Sequence, residues 1–168
     1  GLGQVALSHQ FLNFPECFAY GYQLPSGQAG RGDANICGSK IAKLINGVHE
    51  VDTIVKPVVV NNPVESWYAL GAMPMVASEE SFHFVDNQLT GQKILEESDS
   101  YFCRQQWSDL EAHYPGHEYI YGYCLFPSYY YALMVEGYGL SPDTHINYFP
   151  SSKDVDWTVG VVLHQQYT

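Results

Sequence analysis

Lysine and arginine are what this chain most lacks. Seven of them face eighteen aspartates and glutamates, a formal charge of −11. A nucleic-acid partner is held by cations that displace counterions from phosphates, and no cluster of them exists here. An anionic membrane surface is excluded on the same ground. No run of about 18 apolar residues occurs, so no membrane-spanning helix is expected. There is no Cys-x-x-Cys pair, which argues against a zinc ribbon or a thioredoxin-like site. There is no Asn-x-Ser/Thr sequon, so glycosylation lends no support to an extracellular location. The Gly-x-Ser-x-Gly elbow of serine hydrolases is absent, and Ser26 and Ser39 lack its context. No nucleotide-binding fingerprint occurs, and no cofactor is expected.

What is present is apolar and aromatic. The 168 residues are 46% hydrophobic, enough to build a core, and read as one domain over 1–168. The first residue is Gly1, with no basic-then-apolar leader. This suggests a processed chain or an arbitrary boundary. Four cysteines, an even count with scarce lysine, suit disulfides in an oxidising compartment. Pairing nearest neighbours, Cys17 with Cys37 and Cys103 with Cys124, closes two loops of similar length. In the chain-entropy account each is worth about 3 kcal/mol.

Along the chain, Val5, Leu7, His9 and Phe11 alternate weakly as a first strand. Residues 25–35 are a polar, glycine-rich loop containing Arg31-Gly32-Asp33, a tripeptide that engages integrins when exposed on a flexible turn. Residues 39–47 are a helix, with Ile41, Leu44 and Ile45 at helical spacing, Ser39 as cap and Gly47 as stop. Strands are expected over 52–60, with Pro57 marking an edge or bulge, over 65–75 and over 82–85. A helix is expected near 105–113 and a loop over 137–153. A last strand, Val155–Leu163, has alternating Val155, Trp157, Val159 and Val161.

The richest stretch is 113–138, with eight of the fourteen tyrosines. Tyr119, Tyr121 and Tyr123 alternate with Ile120, Gly122 and Cys124. A Pro127-Ser128 break and a second β-prone run follow, which together predict an aromatic hairpin. The fold class expected is mainly β: an antiparallel sandwich or barrel with one or two short helices, stabilised by disulfides.

His113 and His117 have metal-ligand spacing, with Asp109 or His145 as a third donor, but Pro115-Gly116 between them argues against the helix such a pair needs. Two carboxylates meeting in space would suit a glycosidase, with too many acids to choose a pair. The aromatic rows carry the main expectation. Tyr119, Tyr121, Tyr123, Tyr129, Tyr131 and Trp67 form a surface for the apolar face of a sugar or another small neutral ligand. The function expected is a secreted, non-enzymatic, lectin-like binding protein. The alternatives are a structural or storage subunit that associates with identical or related subunits, and a small secreted hydrolase.

Overall fold

A computed structural model describes residues 11–149. The expected first strand falls mostly, and the last strand Val155–Leu163 wholly, outside the described residues. Within them the chain is mainly helical, which overturns the β-sandwich expectation. Seven α-helices run in order: α1 Ala34–His49, α2 Val51–Ile54, α3 Lys56–Asn61, α4 Ala72–Ala77, α5 Gly91–Ser98, α6 Trp107–His113 and α7 Leu125–Tyr131. Three short strands, β1 Trp67–Ala69, β2 Gln88–Leu89 and β3 Ile146–Tyr148, make one small sheet. Its order is β1-β3-β2, with β1 parallel and β2 antiparallel to β3.

The expected aromatic hairpin is a helical core instead. Ile120–Gly122 is a 3-10 turn, α7 follows, and Ala132–Gly137 continues α7 as a wider π turn. Leu125 to Tyr130 are buried without a break. A helix apolar on every side belongs in the middle of a core, and there it shows no period of 3.6 to read. Accordingly α7 packs against α1, α4 and α5.

Proline accounts for the other misread strands. Pro57 is in the first turn of α3, Pro74 is third in α4 and Pro127 is third in α7. In the first turn of a helix the missing N–H has no intrahelical partner to lose. So 52–60 is α2 and α3, and 65–75 is β1 followed by α4. Residues 82–85 form no strand; the neighbouring Gln88–Leu89 pairs instead. The helix expected near 105–113 is α6. The one at 39–47 begins earlier, at Ala34, because Asp33 and not Ser39 caps it.

Both halves of the Arg-Gly-Asp tripeptide are engaged. Arg31 donates to Glu16 at 2.8 Å. Asp33 accepts from the Ile36 amide at 2.9 Å and from Arg104 at 2.7 Å. Between them Gly32 lies directly against the Cys103 carbonyl, where no Cβ fits. The tripeptide is a structural joint, not the freely presented turn the integrin reading needs. The disulfides join Cys17 to Cys37 and Cys103 to Cys124. The first ties the 3-10 turn Pro15–Cys17 to α1. The second ties the π turn Asp99–Cys103 to the residue before α7.

Candidate functional site

Two clefts concentrate the aromatic residues. The larger, of about 540 Å³, lies where the end of β1 and the start of α4 face α7. Trp67 and Tyr68 of β1, Met73 of α4, Tyr129 and Tyr130 of α7 and Tyr138 beyond it contribute to its wall. The turn from β1 into α4 is made at Gly71, whose φ of 79° is a conformation that suits glycine. Parallel pairing of Trp67 with Ile146 fixes the sheet side of the cleft. Tyr129 is almost wholly buried, while Tyr68 at the mouth is 61% exposed and stacks on Phe149 at 6.0 Å.

No charged side chain among the described residues lines this cleft. Its chemistry is that of flat, neutral, polarisable surface. One polar group in its wall is unsettled. The Tyr130 hydroxyl is the one buried side-chain polar atom among the described residues with no hydrogen-bond partner. Burial, with the neighbouring Tyr129 and Tyr123, pushes its phenol far above the usual range. Buried hydroxyls are nearly always paired, so an orphan in a cleft wall is a group left for something else.

The second cleft, of about 370 Å³, is lined by Tyr22, Trp107, Tyr121, His117, Glu111 and Glu118, among others. Behind it, His117 Nε2 lies 3.1 Å from Glu79. The Tyr123 hydroxyl reaches the same nitrogen at 3.4 Å. Burial first, and then the Glu79 charge, raise the Tyr123 phenol well above its usual range.

The structure thus separates the residues singled out from sequence. Trp67 and Tyr129 meet in the larger cleft, and Tyr121 lines the smaller. Tyr123 is core, and Tyr119 packs half-buried at its edge. Tyr131 lies against Ala34, Leu95 and the second disulfide. His113 sets its ring edge against Tyr114 at 4.7 Å. No group of three metal-ligating side chains converges among the described residues. Met73, Tyr130, Tyr22 and Trp107 were not singled out. In the sequence Phe18, Tyr20 and Tyr22 alternate as Tyr119, Tyr121 and Tyr123 do, and this was the available signal for Tyr22.

Four of the six described lysines and arginines are ion-paired. Arg31 and Lys40 hold Glu16, Arg104 holds Asp33 and Asp99, and Lys93 pairs with Glu97. Among the described residues no lysine or arginine lines the larger cleft, and the Lys56 side chain rests against Gly139, between Tyr138 and Leu140 of its wall.

The described chain is thus helical and disulfide-bonded, with an aromatic cleft. The chain belongs to the GDA1/CD39 (nucleoside phosphatase) family, which it matches over residues 22–167. It is similar to ectonucleoside triphosphate diphosphohydrolase 8 of Gallus gallus, 33% identical over 92 residues. The Homo sapiens and Mus musculus proteins of that name are 32% identical over 96 residues and 33% identical over 91. Each match covers 50% of this chain and 18% of the relative, so the chain corresponds to a minor part of those proteins. The family corrects the non-enzymatic, carbohydrate-binding expectation. Of the three functions expected, the hydrolase is the one it supports.

Proposed function

We propose that this chain is the nucleoside-recognising part of an enzyme that hydrolyses nucleotides, and that the larger cleft receives the base. The observation that carries this reading is the cleft itself: aromatic, large enough for a heterocycle and free of charge. Stacking on an aromatic face suits every base and is worth about 1–3 kcal/mol per base. Tyr129 and Trp67 supply the faces and Met73 an adaptable edge.

Phosphoryl transfer needs positive charge around the transferred group. No lysine or arginine among the described residues lines the cleft, so the phosphates project out of it, toward its rim near Lys56 and toward groups contributed by other residues. The protein's work here is to hold the nucleoside and set its direction, which converts binding into orientation of the distant bond.

An extracellular location is part of the proposal. Two disulfides suit an oxidising compartment, and the relatives carry "ecto" in their names. The acidic surface repels free nucleotide in general, which leaves recognition to the base rather than to long-range attraction.

Calorimetric titration of the chain with adenosine and with ribose 5-phosphate tests the reading. Saturable binding of adenosine, absent for ribose 5-phosphate and weakened about tenfold or more by Tyr129→Ala, is expected. Equal binding of both compounds, no binding of adenosine, or an unchanged affinity in the variant would overturn it.

A further inference from the structure

The smaller cleft has a different chemistry, and the nucleotide reading does not use it. We propose that it binds a small organic ammonium ion.

Its wall is a run of touching rings. Trp107 of α6 stands edge-on to Tyr22, with centroids 4.8 Å apart and planes at 79°. Tyr22 in turn lies nearly parallel to Tyr121, at 6.1 Å and 15°. Aromatic faces carry negative quadrupolar charge and attract cations, Trp most strongly. These rings come from three separate parts of the chain: the segment before α1, α6, and the 3-10 turn before α7. The cleft is therefore assembled by the fold and is not a run of neighbouring residues.

Two carboxylates, Glu111 and Glu118, complete the lining, and among the described residues no lysine or arginine does. His117 does not offset them. Its Nδ1 accepts the Tyr119 amide at 3.2 Å, which leaves the ring proton on Nε2, against Glu79 at 3.1 Å. A third carboxylate, Glu79, thus stands behind the ring. The field of these acids is felt locally: the Glu118 charge first, and burial second, raise the Tyr119 phenol above its usual range.

The combination selects among ligands. An anion meets two carboxylates and no counter-charge. A neutral apolar molecule gains the rings but leaves the acids idle. An alkylammonium ion gains both, with its methyl or methylene groups on Trp107, Tyr22 and Tyr121 and its charge toward Glu111 and Glu118. At about 370 Å³ the cleft admits an ion the size of choline.

The test is calorimetric titration of the full chain with choline and with 3,3-dimethyl-1-butanol, which has the same shape without the charge. We expect saturable one-to-one binding of choline, at least about tenfold tighter than the neutral analogue and weakened by added salt. The double variant Glu111→Gln/Glu118→Gln changes exposed side chains and keeps the fold, and should lose about tenfold in affinity. Absence of saturable binding, equal affinity for the neutral analogue, or an unchanged affinity in the double variant would each overturn the proposal. None of these outcomes bears on the base-binding cleft.

Discussion

Asp33 and Arg104 meet at 2.7 Å through one carboxylate oxygen while the other oxygen of Asp33 caps α1. One side chain thus starts the longest helix and holds it to the π turn that carries Cys103. Asp33→Ala should lower stability by about 1–2 kcal/mol, the usual worth of a cap with a partly exposed pair adding little. Chemical denaturation would measure it. Because Asp33 is occupied, the wild-type chain should not support integrin-dependent cell adhesion, and adhesion blocked by a soluble Arg-Gly-Asp peptide would show otherwise.

Glu16 is nearly buried, with Lys40 at 2.7 Å and Arg31 at 2.8 Å. Burial alone would raise its carboxyl, but hydrogen bonds from Lys40 and Arg31 outweigh this, and the net displacement is downward from 4.5. A carboxylate lowered on folding stabilises fully above its unfolded value, and this is lost as pH falls through the folded value. Stability should therefore decline with acidification below about pH 4.5, and Glu16→Gln should be less stable at pH 7 with a flatter acid limb. Thermal melts of both chains between pH 3 and 7 check the sign.

Tyr130 gives a prediction with opposite signs in two assays. An unpaired buried hydroxyl costs about 1–3 kcal/mol, so Tyr130→Phe should raise the melting temperature of the free protein. If the hydroxyl is kept for a nucleoside, the same change should weaken adenosine binding. A melting temperature that falls would mean the hydroxyl already has a partner. A rise with unchanged affinity would remove it from the ligand's surroundings.

Each disulfide closes a loop of about twenty residues, with separations of 20 and 21. Cys17→Ala/Cys37→Ala should cost about 3 kcal/mol in denaturant unfolding. Peptide mapping under non-reducing conditions should recover the linked pairs 17–37 and 103–124 and no free thiol at those positions.

How much of this could be read from the residues follows from where each signal lay. The stripe Ile41, Leu44, Ile45 showed a helix because one face of α1 meets solvent and the other meets α7. The same logic failed for α7 itself, which is buried all round and so carries no polar face to set a period. Tyr119, Tyr121 and Tyr123 alternate with Ile120 and Gly122 in sequence, but a 3-10 turn and its flanks carry them rather than a strand. Asp33 was hidden as a cap by the turn-forming residues around it. Strand β3, only three residues long, was lost within a loop of glycine, proline and serine. Trp67 and Tyr129 stood out as aromatics, but their convergence depends on β1 pairing with β3 and on the Gly71 turn. Neither is visible in local sequence.

Gly32 has a reach beyond the loop it belongs to. The Cys103 backbone against which it rests also carries a sulfur that must find Cys124. A methyl group added at position 32 pushes on that backbone before it disturbs anything else. Such a change acts on which sulfurs meet during oxidation. Its expected symptom is a mixture of wrongly linked chains, with the minority that links correctly keeping a near-native fold.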